Sequence, residues 1–205
     1  MLIEFLVRCD PFRTLICMLI LQTKTLDSVS KHLYTIGGWN LEYVNHVDRI
    51  EIDSETGDLT GDWLSMPGLN QERSDHACAL VQFVRENVWE NGIMVAGGYK
   101  SNGAWTNTVE FFNFEKGAWV PLAFFPLLKN GRHYHGLTTL GLIPTVFGGW
   151  NNGSLNSIEQ LDYCNKKGPE WVETQEWLNV AREHFAYVRV PHDFYTDCAE
   201  GLEEE

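Results

Sequence analysis

The sequence predicts an all-β chain: about three four-stranded antiparallel units in series, followed by one extra C-terminal strand. Three observations predict it. A Gly-Gly pair preceded by a short apolar run and followed by an aromatic residue occurs three times, at Gly37-Gly38-Trp39, Gly97-Gly98-Tyr99 and Gly148-Gly149-Trp150. Around each pair an arginine, an aliphatic–acidic pair and a tryptophan recur in one order. The 205 residues hold 13% aromatics and 18 glycines and show no sustained helical period, which suits short strands and tight turns.

An arginine opens each unit: Arg13, Arg73, Arg132 and, at the start of an incomplete fourth, Arg182. Arg13 precedes Gly37 by 24 residues and Arg73 precedes Gly97 by 24, so the first two units align without a gap. Successive Gly-Gly pairs lie 60 and 51 residues apart, a period that marks propeller or solenoid arrays. The first strand follows the arginine, at 17–21, 77–83, 136–140 and 185–190. The run 15–21 mimics a secretory core, but the alignment assigns it to this strand, and seven apolar residues are too few to span a bilayer.

The second strand runs into the glycines. It is apolar on both faces, so it belongs in an interior. Paired glycines at its end suit a close approach of chains or a positive φ. The third strand alternates and carries Val47-Asp48, Val109-Glu110 or Ile158-Glu159, the acid being a partner for a backbone amide or an arginine. The fourth holds Trp63, Trp119 or Trp171, each a large area to bury between units. The polar stretches 24–32 and 84–92 read as the longest connections.

The order Arg-x-x-His, apolar run, Gly-Gly-aromatic, aliphatic–acidic, Trp is seen from Arg73-Ser74-Asp75-His76 through Trp119, and from Arg132-His133-Tyr134-His135 through Trp171. It resembles the kelch repeat, which builds one blade of a β-propeller. The first copy has Ile16, and the fourth Phe185, at the histidine position. The resemblance covers residues 13–198, with blades near 13–67, 73–126 and 132–178, a final strand at 182–198, and flanking segments 1–12 and 199–205. Kelch propellers close with five to seven blades, so three imply an open fan. The expectation is a fragment whose other blades lie upstream, a ring completed by a second copy in a homo-oligomer, or a truncated gene product.

Charge narrows the partners. Fifteen Lys and Arg stand against 28 Asp and Glu, a net charge of −13, which argues against nucleic acid and anionic membranes. Five cysteines without a C-x-x-C spacing indicate neither a disulfide framework nor a zinc site, and predict reduced thiols in a cytoplasmic protein. No phosphate loop, nucleophile elbow or zinc-protease motif occurs. His76, His133, His135 and His184 could be imagined as a metal set, but read as repeat positions. No catalytic residue, metal or cofactor is expected.

The function expected is a non-catalytic protein–protein interaction module. Its partner proteins would be held by the loops joining strands, including those after each Gly-Gly. The resemblance implies the substrate-recognition part of a cullin-type ubiquitin ligase or a cytoskeletal adaptor. It also suggests binding positions at the blade entrance: Arg13, Arg73, Arg132, Arg182, His76 and His135. The arginines are equally suited to bracing the fold. Trp105 is the natural exposed anchor. The alternative is a secreted or copper-oxidase-like propeller, for which Tyr163-Cys164 and Tyr195 near Cys198 would supply a cross-linked ligand.

Overall fold

A computed structural model of the protein describes residues 17–24, 29–85, 88–163, 165 and 168–187, with the backbone alone at 17–24, 29–30 and 84–85. The described chain is all-β. Twelve strands form three four-stranded antiparallel sheets. Sheet 1 comprises β1 (Cys17–Lys24), β2 (Val29–Trp39), β3 (Tyr43–Ile52) and β4 (Leu59–Met66). Sheet 2 comprises β5 (Ala77–Arg85), β6 (Val88–Ala96), β7 (Val109–Asn113) and β8 (Ala118–Trp119). Sheet 3 comprises β9 (Gly136–Leu140), β10 (Ile143–Phe147), β11 (Ile158–Asp162) and β12 (Glu170–Glu173). In each, neighbours in sequence are neighbours in space. One 3₁₀ turn (Leu122–Phe124) is the only helical element among the described residues, and no helix there is long and apolar enough to cross a membrane.

The sheets pack face to face, and their first strands lie side by side, β1 against β5 and β5 against β9. Strand alternation divides the apolar residues of sheet 2 between two cores. Cys78, Ile93, Val95, Phe112 and Trp119 meet Tyr34, Ile36 and Val47 of sheet 1. Ala77, Ala79, Val81, Phe83, Met94 and Phe111 meet Leu137, Val146, Leu161 and Trp171 on the side of sheet 3. This two-sided burial is why β6 reads as an unbroken apolar run before Gly97.

Four expectations are corrected. Residues 24–32 and 84–92 are mostly strand. β5 and β6 pair continuously from Ala77↔Ala96 to Arg85↔Val88, and β1 and β2 from Cys17↔Ile36 to Lys24↔Val29. These polar stretches lie toward the far ends of long hairpins; Val88, Trp89 and Asn91 there are exposed, while Glu90 is buried. Trp119 and Trp171 are buried, but Trp63 is exposed on β4. The Trp119 indole donates back to the Pro67 carbonyl of the preceding sheet (2.7 Å), and Trp63 has no earlier sheet among the described residues to reach. Cys78 is disulfide-bonded rather than a reduced thiol. Residues 182–187 form no strand, although they dock on sheet 3; the rest of the expected final strand lies outside the described residues.

Candidate functional site

Arg73 and Arg132 each sit just before the first strand of their sheet, and their side chains cross to the third. Arg73 donates from Nη1 to the Gly97 carbonyl (2.7 Å) and from Nη2 to Glu110 Oε1 (2.7 Å) and Thr108 Oγ1 (2.9 Å). Arg132 repeats the pattern on the Gly148 carbonyl (2.9 Å), Glu159 Oε1 (2.5 Å) and Ser157 Oγ (3.1 Å). All four ionised side chains are fully buried. The glutamates are satisfied further by backbone amides: Asn70 and Gln71 on Glu110, Lys129 and Asn130 on Glu159. Buried charges persist only when paired and hydrogen-bonded, and these are both.

Arginine carbonyls join one sheet to the one before, and the segment after sheet 3 to that sheet. Gly38 N–H donates to Arg73 O, Gly98 to Arg132 O and Gly149 to Arg182 O, each at 2.8 Å. The first glycine of each pair has φ near +60°. A Cβ on Gly97 would lie 2.4 Å from the Arg132 carbonyl oxygen and 2.6 Å from His135 Cε1. His76 fills the same place over Gly37, and Phe185 over Gly148. The histidine is therefore a wedge between sheets, and a phenylalanine serves equally.

Burial, with Arg73 alongside, pushes His76 down to about 3. Burial beside Arg132 takes His135 well below the ordinary imidazole value, and burial with His184 nearby lowers His133 to about 4. In the unfolded chain these rings titrate near 6.5. The unfolded state thus binds more protons as pH falls, and the stability that the neutral rings confer is complete above about 6.5. It is lost as pH drops toward 4 and below. The melting temperature is expected to fall from pH 7 to pH 5. Each ring contributes up to about 1.4 kcal/mol per pH unit in that window. His76→Phe, which keeps the wedge and removes the titration, should reduce the slope in thermal melts; an unchanged slope would place the proton uptake elsewhere.

These contacts place the expected site residues. Arg73, Arg132, His76 and His135 are buried in the framework and present no side chain at the surface. Arg182 is exposed, with its Nε on the Val180 carbonyl (3.2 Å) and no carboxylate paired to it among the described residues. Trp105 is half-buried, stacked on His133 with ring centroids 6.2 Å apart and planes 11° apart, so it is a partly seated anchor rather than a free one. Arg13 lies outside the described residues, as do Cys164, Tyr195 and Cys198. Among the described residues no group of three or more His, Cys, Asp or Glu is gathered as for a metal ion.

What the framework leaves open is a cleft of about 260 Å³, lined by Trp39, Tyr43, Ser74, Asp75, Tyr99, His133 and Tyr134. Neighbouring rings touch along it: Trp39 on Tyr43 (4.8 Å), Tyr43 near Tyr99 (6.1 Å), Tyr99 on His133 (5.3 Å) and His133 on Tyr134 (4.3 Å). Two repeat positions build it. One is the aromatic residue after Gly-Gly. The other stands two residues after the arginine, at Asp75, Tyr134 and His184, and all three adopt positive φ (57°, 55° and 51°). Their backbones form a chain of bonds, Tyr134 N–H to Asp75 O (3.0 Å) and His184 N–H to Tyr134 O (3.1 Å). Left-handed backbone at non-glycine residues costs free energy and concentrates where side chains are being aimed. Sequence reasoning named Trp105 but missed this second position, because its residue type changes from unit to unit.

No family model and no curated protein matches the chain.

Proposed function

We propose that the chain is a non-catalytic protein-interaction module, its sheets being blades of a kelch-type β-propeller and its partner a protein held at the aromatic cleft. The observation that carries this reading is a division of labour within the repeat. The arginines, glutamates and histidines are consumed in buried pairs and wedges, while the aromatic positions beside them line an open concavity. The twice-repeated link from arginine to glutamate to Gly-Gly carbonyl supports the kelch comparison, as do first strands lying side by side. Tyrosine and tryptophan are the residues that dominate binding hot spots.

The test is affinity capture with the purified chain and with Trp39→Ala and Trp105→Ala variants. A specific protein partner should be retained by the unsubstituted chain and lost at least about tenfold in both variants, the loss of a hot-spot aromatic. Melting temperatures should stay close to that of the parent. Capture that survives both substitutions would overturn the reading.

A second reading, a secreted propeller, is favoured by one observation: the disulfide at Cys78. Failure of Cys78 to take up iodoacetamide in denaturant before reduction would support it, and ready alkylation there would remove it.

A further inference from the structure

We infer that the chain binds a second copy of itself head to tail, the segment 178–182 of one copy seating the Asp48 carboxylate of the next. The inference stands apart from the aromatic cleft and rests on the junctions between sheets.

The two internal junctions share one bracket. In each, a leucine amide bonds back to the preceding sheet, Leu69 to the Asn45 carbonyl and Leu128 to the Asn107 carbonyl (both 2.9 Å). The arginine amide four residues on does the same, Arg73 to the Val44 carbonyl and Arg132 to the Thr106 carbonyl. The two amides after the leucine hold the glutamate of the next sheet. Asn70 and Gln71 donate to Glu110 (2.6 and 3.2 Å), and Lys129 and Asn130 to Glu159 (2.7 and 3.1 Å). A third bracket follows sheet 3. Leu178 N–H donates to the Asn156 carbonyl (2.8 Å) and Arg182 N–H to the Leu155 carbonyl (3.0 Å). Arg182 Nε donates to the Val180 carbonyl (3.2 Å), as Arg132 Nε does to that of Asn130 (3.4 Å), so the guanidinium is already posed as in a filled junction. Yet the amides of Asn179 and Val180 and the Nη atoms of Arg182 meet no acceptor among the described residues, and all three residues are exposed. Two adjacent amides beside a guanidinium form a receptor for a carboxylate.

The acid that this bracket lacks stands at the other end of the molecule. Asp48 lies on β3 opposite Thr35, as Glu110 lies opposite Val95 and Glu159 opposite Val146. Its carboxylate has no hydrogen bond or ion pair among the described residues. The chain's own residues at the matching places before Arg13 do not offer the two amides. Asp10 adds a like charge, and Pro11 has no N–H. Trp63 is a second unfilled place: Trp119 and Trp171 are buried, whereas Trp63 is 46% exposed. A copy docked ahead of sheet 1 answers Asp48 and covers Trp63 together. An unrelated carboxylate would fill the bracket and leave both as they are. Contact between unlike ends of identical chains is heterologous, so it closes a ring or propagates. The net charge of −13 on each copy opposes association, so these local bonds must carry it.

The experiment is sedimentation velocity on the full chain at about 150 mM salt, where long-range repulsion between copies is screened. The weight-average mass should rise above that of one chain between about 5 µM and about 200 µM, the affinity range of a contact carried by a few bonds. Arg182→Glu and Asp48→Arg should each weaken association at least about tenfold, because like charges then face each other across the contact. An equimolar mixture of the two variants should recover it, since Arg182 of one still meets Asp48 of the other. At low micromolar chain, both variants should melt with the parent. If Asp48→Arg melts lower, Asp48→Asn takes its place in the same mixture. In isotope-labelled chain, the Asn179 and Val180 amide resonances should shift with concentration, and should stay fixed in Asp48→Asn. A parent that remains monomeric throughout, a variant that associates like the parent, or a mixture no better than its components would each overturn the proposal. None of these outcomes bears on the cleft, which capture with Trp39→Ala tests by itself.

Discussion

Methionine in place of Arg132 is expected to destabilise the protein by about 3–5 kcal/mol, the cost of leaving one member of a buried ion pair without its partner. Glu159 would stay fully buried and lose its strongest contact, the 2.5 Å bond to Nη2. The Gly148 and Ser157 carbonyls would lose their donors as well. Two backbone amides, Lys129 and Asn130, would still face the carboxylate, which is why the loss is a few kcal/mol and not more. Arg73→Met should behave alike, since Arg73 makes the corresponding bonds to Gly97, Thr108 and Glu110. Arg132→Met with Glu159→Leu should recover part of the loss, because two apolar groups leave no charge behind. Arg182→Met should move stability by less than about 0.5 kcal/mol, as exposed positions do. Chemical denaturation of the five proteins checks the series. A mild Arg132→Met beside a severe Arg182→Met would contradict the assignment of the arginines.

Alanine in place of Gly97 is expected to cost about 3 kcal/mol or more. An L-residue at φ 62° pays roughly 1–2 kcal/mol for the left-handed backbone alone. The new Cβ would meet the Arg132 carbonyl oxygen at 2.4 Å, and that oxygen is the acceptor for Gly98 N–H. Sheets 2 and 3 would therefore have to separate locally and strain or break this bond, worth about 1 kcal/mol net. Gly117→Ala is the internal control. It has φ 60° but nothing within 4 Å of the added atom, so it pays the backbone penalty and no more. The difference between the two denaturation midpoints isolates the inter-sheet contact. Equal losses would mean the Gly-Gly pair serves conformation alone.

The residues that made the fold legible are those with one irreplaceable role. Gly97 and Gly148 must be glycine because a carbonyl and a ring press on them, so their spacing marked the sheets. Arg73 with Glu110, and Arg132 with Glu159, recur because a buried charge must find its counter-charge at a fixed distance. Repeat position placed Glu110 and Phe112 on a strand, but alternation implied one exposed face where β7 is buried on both, between sheets 1 and 3. Legibility failed where solvent, not packing, chose the residue. Asn91 read as part of a connection because the hairpin end reaches outward, where a strand tolerates polar side chains. Trp63 looked equivalent to Trp119, yet burial depends on what stands in front of a residue, which spacing does not encode. The cleft was half visible. Trp39 and Tyr99 follow the glycines and could be found by position. Asp75 and Tyr134 share a backbone conformation and a place in the hydrogen-bond chain, neither of which has a residue-type signature.

The central claim is that successive sheets are locked to one another where the Gly-Gly amide meets the arginine carbonyl. Native-state hydrogen exchange by NMR measures this lock amide by amide. Gly98 and Gly149 should exchange slowly, with protection close to that of core amides such as Met94 and Val146, because releasing Gly98 requires sheets 2 and 3 to part and releasing Gly149 requires residues 182–187 to leave sheet 3. The exposed turn amide of Gly57, whose one bond to the Asp53 carbonyl (3.0 Å) only closes a local turn, supplies the fast reference. Exchange of Gly98 and Gly149 as fast as Gly57, in a chain whose core amides stay protected, would show that the sheets are joined only by apolar contact and would contradict the account.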